Sequence, residues 1–312
     1  MPRHPSAATR SPGTGGKAAA TVWRATLPES RLRIPKTYKL FIGGAFPRSE
    51  SGRSYVVTSL DGAFRANAAL ASRKDVRDAV VAARAAIPKW AGATAYNRGQ
   101  ILYRIAELLE GRRAQFVEEV AASEPGDAPS TVDAAIDRWV WYAGWADKIA
   151  QVMGAANPVA GPFFNLSSPE PTGVVGIVAP PESSLLGLVS VLAPVIVTGN
   201  TAVVLAAPDR PLPAVTLTEV LATSDLPAGV VNLLTGRTPE LAPWLAGHLD
   251  VNGLDLTGVT DPELATALER DAAENLKRIL RPAGRTDWTA EPGIERMVAY
   301  LEIKTVWHPK GV

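Results

Sequence analysis

Two hydrophobic rhythms divide this chain. Between residues 72 and 149 apolar side chains recur every three or four positions. Between residues 174 and 280 short β-branched runs alternate with helical stretches. Ahead of both, Tyr38-Lys-Leu-Phe-Ile-Gly-Gly-Ala-Phe46 alternates around a Gly-Gly turn and reads as a hairpin. A second turn, Ser51-Gly-Arg-Ser, leads into Tyr55–Thr58, and Phe64–Leu70 fits a further strand. Ser72 starts a helix with Asp75 placed to complete a capping box; Val76, Val80, Ala83 and Ile87 follow at helical spacing, and Pro88 marks the exit. Helices are expected over Arg98–Leu109, Ala114–Ala122 and Val132–Ile149, with Pro125-Gly126-Asp127 as a break. Trp139, Trp141, Tyr142 and Trp145 on the last of these read as core anchors rather than an aromatic cofactor box.

Pro158–Pro171 is a Pro-rich hairpin candidate, after which the pattern changes. Strands Val174–Val178, Ala202–Leu205, Val230–Leu234, Gly253–Leu256 and Arg278–Leu280 are separated by helices ending near Val197 and covering Ala214–Ala222, Glu240–Ala246 and Pro262–Asn275. Continuously apolar strands alternating with helices predict an α/β fold with a Rossmann-like, doubly wound parallel sheet, preceded by a helical layer. Ile294–Tyr300 fits a short helix. Leu301–Trp307 alternates like a single strand with no local partner, so its backbone must pair elsewhere.

Composition narrows the function more by exclusion than by assertion. Net charge is +1 over 312 residues, which gives no reason to expect nucleic acid or a charged membrane surface. There is no cysteine, hence no disulfide and no thiolate metal site, and His4, His248 and His308 are too scattered for a ligand set. Met1–Pro35, rich in Pro, Gly, Ser and basic residues, reads as a disordered tail without a secretory h-region, and cytoplasm is the expected location. His248 beside Asp250 reads as a surface helix end, Ser183 and Ser184 as helix-start caps, and Glu118-Glu119 and Arg112-Arg113 as solvated faces.

Several motifs in order carry a family resemblance. Tyr38–Gly44 with Ser51-Gly-Arg, Gly161-Pro-Phe-Phe-Asn165, Pro171–Pro180, Gly199–Val204, Leu226-Pro-Ala-Gly-Val-Val-Asn-Leu-Leu-Thr-Gly236, Leu256-Thr-Gly258 and Glu302–Trp307 together resemble the aldehyde dehydrogenase family. The resemblance implies a cofactor-binding domain over residues 36–284, including an oligomerisation hairpin near 155–172, then a linker and C-terminal oligomerisation tail over 285–312. It also implies NAD(P)-dependent aldehyde oxidation through a cysteine thiolate.

The departures fall at the working positions. Glu182 stands where the family places an oxyanion-donating Asn, and a carboxylate there repels a developing oxyanion. Leu205 and Pro208 replace the ribose-binding Lys and Glu. Val259 replaces a Ser, and Glu263 a Gly, where the cofactor's pyrophosphate would meet a helix start. Pro282 replaces the general base, and the linker then runs straight to the tail without the cysteine-bearing catalytic domain. Ala179, Pro180, Leu205, Gly236, Thr257, Gly258 and Val259 are therefore expected to line a degenerate site, holding NAD(P) at most weakly. The resulting expectation is a catalytically dead subunit that assembles with a full-length aldehyde dehydrogenase or with itself. The alternatives are a nucleotide-binding or sensing module and one half of a split oxidoreductase.

Overall fold

The computed structural model describes residues 35–282, 284 and 286–311. The tail inferred over residues 1–35 lies outside them except for Pro35, as do Arg285 of the linker and Val312. Three short strands, β1 (Thr37–Tyr38), β2 (Ser54–Thr58) and β3 (Phe64–Ala69), form a small sheet in the order β1-β3-β2. Helices α1 (Arg73–Ala91), α2 (Ala95–Gly111), α3 (Arg113–Ser123), α4 (Ala128–Trp145) and α5 (Ile149–Met153) follow, then the hairpin β4 (Ala155–Asn157) and β5 (Phe163–Pro171). The alternating part comprises β6 (Val174–Val178), α6 (Leu186–Val197), β7 (Thr201–Leu205), α7 (Leu212–Leu221), β8 (Val231–Leu234), α8 (Thr238–Ala246), β9 (Gly253–Asp255), α9 (Pro262–Ala272) and β10 (Arg278–Leu280). Helix α10 (Glu295–Val298) and strand β11 (Leu301–Pro309) close it.

The central sheet runs β10-β9-β6-β7-β8 with every neighbour parallel. Chain order thus reverses at β6, and the switch point lies between β6 and β9, as in a doubly wound dinucleotide fold. Both faces are buried, which explains the unbroken apolar runs. Val175, Ile177, Ala202 and Val204 face one core with α2–α4, α6 and α7. Val174, Val178, Val203 and Leu205 face the other with α1, α8 and α9. All twelve residues of α6 are buried, since it is sandwiched between sheet and helical layer. Each fully buried Val or Leu there stabilises by roughly 1.5–3 kcal/mol relative to exposure.

Local predictions hold where a side chain names the boundary. Ser72 accepts from the Lys74 and Asp75 amides while Asp75 accepts from the Ser72 amide, completing the capping box. Several boundaries moved, two of them for a clear local reason. Pro88 does not end α1, which continues to Ala91 because a proline in the last turn removes one hydrogen bond, while Trp90, fully buried, anchors the turn through its indole N–H to the Ile196 carbonyl at 2.9 Å. Helix α4 starts at Ala128, since Asp127 caps it through the Ser130 amide. The Gly43-Gly44 turn is present, with Ile42 and Ala45 exchanging backbone bonds at 3.0 Å, but the hairpin's first arm bridges outward to Leu233. Trp139 and Tyr142 are buried core anchors, with Trp141 and Trp145 half-buried beside them.

One expectation is met and one is corrected. The terminal strand, without a local partner, pairs elsewhere in its own chain: β11 lies antiparallel to β5 over all nine residues, a partner so distant in sequence that local patterning could not name it. Glu119 is not on a solvated face. It is buried, accepting from Thr216 Oγ1 at 2.9 Å and Gln115 Nε2 at 3.1 Å, while its second oxygen has no hydrogen-bond partner. Arg112 beside it is half-buried and donates to Glu219 at 2.6 Å.

Candidate functional site at the carboxyl ends of the sheet

The carboxyl ends of β6, β9 and β10 deliver most of the sequence-predicted residues to one place. Glu182, Thr257, Val259 and Pro282 line a cleft of about 510 Å3, with Arg281 and Thr286 on its wall. Ala179 and Gly258 lie at its base: the Gly258 amide donates to the Val178 carbonyl at 3.1 Å, and a Cβ at Gly258 would sit 2.2 Å from the Ala179 oxygen. Glycine is required there because the chain leaving β9 passes directly against the backbone at the end of β6. Leu205 and Gly236 are not brought to this cleft. Leu205 is buried in the core with Leu234 and Leu256, and Gly236 is walled by Leu241, Ala71 and Leu70.

The chemistry of these positions is already committed. Thr257 donates its hydroxyl to the buried Asp255 carboxylate and accepts from Arg296 Nη2 at 3.2 Å. Its amide also donates to Asp255, at 3.0 Å. The start of α9 carries its own anion, Asp261, accepting from the Glu263 amide at 2.9 Å, and Glu263 adds a second carboxylate in the first turn. Arg281 is drawn away to Glu269 at 2.8 Å.

A strap from Thr286 to Arg296 crosses this face, and sequence reasoning missed it. The Trp288 ring is buried, and its indole N–H donates to Glu182 Oε1 at 2.9 Å. The Trp288 and Ala290 carbonyls each accept from Arg138 Nη2 at 2.9 Å, while Arg138 Nη1 donates to Ser190 Oγ at 2.8 Å. Arg296 lies over the Trp288 ring, 5.5 Å from its centroid, and donates to Asp255 at 2.7 Å. The strap divides the face into three neighbouring hollows: the 510 Å3 cleft, one of about 440 Å3 between Glu124, Glu182 and Trp288, and one of about 290 Å3 between Arg138, Trp288 and Arg296. Glu124 is buried in the second, which pushes its carboxyl above the usual range, and the Ser184 amide, donating at 2.7 Å, pulls it partly back. Ser183 Oγ accepts from the Gly187 amide in the first turn of α6 at 2.9 Å, although the N-cap position itself is Leu185, and Ser184 is held through its amide by Glu124 rather than capping the helix as expected. His248 accepts from the Asp250 amide at an exposed helix end. The signals available in the sequence were Asp255, a charge inside an apolar strand, and Trp288, a large aromatic in a Pro/Gly-rich linker.

Comparison with known proteins agrees with this architecture. Residues 46–285 match the aldehyde dehydrogenase family model, and the chain belongs to that family. It is 34% identical over 264 residues to cytosolic 10-formyltetrahydrofolate dehydrogenase of Mus musculus, covering 80% of this chain and 28% of that protein. It is 33% identical over 266 residues to human retinal dehydrogenase 2, covering 82% and 50%. Among solved structures, the NAD+ complex of a Bacillus cereus aldehyde dehydrogenase superposes with a TM-score of 0.72 at 26% identity, covering 78% of this chain and 50% of that one. HpcC of Thermus thermophilus gives 0.73 at 29%, covering 78% and 47%. The chain therefore spans half or less of the length of these relatives.

Proposed function

We propose that this chain is a catalytically silent aldehyde dehydrogenase subunit that assembles with a full-length enzyme of the family and supports it in the cytoplasm. The carrying observation is a contrast. The β4–β5–β11 sheet is fully formed, with Phe164, Leu166, Ile303, Val306 and Trp307 exposed on it, while Glu182 and Pro282 stand where the resemblance to the family places the oxyanion donor and the general base. Such a sheet is suited to docking on another subunit. The residues at the cofactor positions do not fit a dinucleotide. Leu205 offers the ribose no polar atom, Thr257 is spent on Asp255 and Arg296, and the α9 start is occupied by Asp261 and Glu263. The reactive face is covered by Trp288, so no route through NAD(P) is derived for this chain. Among the described residues, no helix is long and apolar enough to cross a membrane.

The test is a tagged pull-down from the native host with native mass spectrometry of the eluate. A defined complex containing a full-length aldehyde dehydrogenase is expected; recovery without any such enzyme sinks the reading. Calorimetric titration with NAD and NADP up to millimolar ligand should give no heat, and saturable heat would instead favour a nucleotide-binding module.

A further inference from the structure

We propose that the free edge of β11 pairs antiparallel with the same edge of a second copy, centred on Thr305, to form a twofold dimer. The geometry of β11 fixes which backbone groups are available. At one end of its ladder the Thr172 amide donates to the Tyr300 carbonyl, and at the other the Lys310 amide donates to the Pro162 carbonyl at 2.7 Å. In an antiparallel ladder such pairs recur every second residue, so the even-numbered residues of β11 bond inward to β5. Ser167 and Thr305, opposite each other, instead touch through their hydroxyls at 2.8 Å, as non-hydrogen-bonded pairs do. The backbone groups of Leu301, Ile303, Thr305 and Trp307 therefore point away from β5. Among the described residues no strand pairs with that edge.

The side chains select one register. A twofold at Thr305 sets every outward-facing residue against an outward-facing residue: Thr305 on itself, Ile303 on Trp307 and Leu301 on Pro309. On the other face it sets Glu302 against His308, a carboxylate against a base. The neighbouring registers are worse. A twofold at Lys304 places that ammonium opposite itself, and one at Val306 places it opposite His308. Ile303 and Trp307 are 49% and 58% exposed, and both lie on the face where Phe163 meets the Trp307 ring edge-on at 5.8 Å. Pairing two copies would join these into one apolar stripe across a six-stranded sheet, each β11 covering the other's edge, in the isologous manner of twofold dimers. This inference concerns the chain by itself and does not rest on assembly with a full-length enzyme, so either can fail alone.

Sedimentation velocity of the purified chain at tens of micromolar should show a dimer; a monomer there overturns the proposal. The chain has no cysteine, so single substitutions Ile303→Cys, Lys304→Cys, Thr305→Cys, Val306→Cys and Trp307→Cys report the register directly on oxidation. Intermolecular crosslinking should peak at Thr305→Cys, and a maximum elsewhere overturns it. Thr305→Pro removes an outward N–H and the hydroxyl contact to Ser167 while sparing the backbone bonds to β5, so the dimer dissociation constant should rise at least about tenfold; an unchanged constant counts against the edge. If that variant does not fold, Glu302→Lys should weaken the dimer and Glu302→Lys with His308→Glu restore it, whereas no rescue overturns the register.

Discussion

At the residue scale, Trp288 links two features that look unrelated, the Glu182 carboxylate, where the resemblance expects an oxyanion donor, and a short Pro/Gly-rich linker. Glu182 accepts the indole N–H, and Arg138 holds the strap's backbone. Removing the ring by Trp288→Ala should lower unfolding free energy by about 3 kcal/mol, measured by urea denaturation. Millimolar indole should recover part of that loss, because the hole retains the Glu182 acceptor. Glu119 carries a pH effect of definite sign. Burial raises its carboxyl above the ordinary value of 4.5, with Thr216 and Gln115 pulling it down less strongly. A group whose proton is held more tightly when folded contributes stability below 4.5 and loses it as pH rises through the raised value. Glu119→Gln should thus raise the melting temperature at pH 7, with the gap closing below pH 4.5. Neither residue was legible from sequence in its role. Periodicity placed Glu119 on a helix but could not say that Thr216 would meet it, and Trp288 sits where no period exists.

At the element scale, legibility followed whether the determinant was local. The Ser72 cap, the Gly43-Gly44 turn and the five strands of the central sheet are written within a few residues of themselves. The β5–β11 pairing and the strap are decided by contacts across more than a hundred residues, and only the family resemblance pointed toward a hairpin-and-tail unit at all. The candidate site was legible as a set of substitutions; that Leu205 and Gly236 would lie away from the cleft was not. Glycines show the same division. Gly258→Ala should destabilise by at least ~2 kcal/mol, since the new methyl meets backbone oxygens that cannot give way. Gly144→Ala on α4, where a Cβ meets nothing within 4 Å, should stabilise by roughly 0.5–1 kcal/mol. Paired thermal melts of the two variants check both signs.

At the scale of the whole molecule, the chain carries the doubly wound sheet of the aldehyde dehydrogenase family, with a strap from Thr286 to Arg296 crossing the carboxyl ends of its strands. With NAD(P) and simple aldehydes, the purified chain should produce no nicotinamide absorbance change above the enzyme-free rate, a direct check of the silent-subunit reading. One consequence of the β5–β11 ladder concerns time rather than structure. Ser167 and Thr305 are 138 residues apart in the chain, so their strands meet only after the loop between them has been organised. Long-range pairing of this kind is slow beside helix formation and local docking. The joining of β11 to the β4–β5 hairpin is therefore expected late in folding. If the proposed assembly uses this sheet, a partner that recognises its finished form would pass over half-folded copies, and the order of events would act as a check on quality.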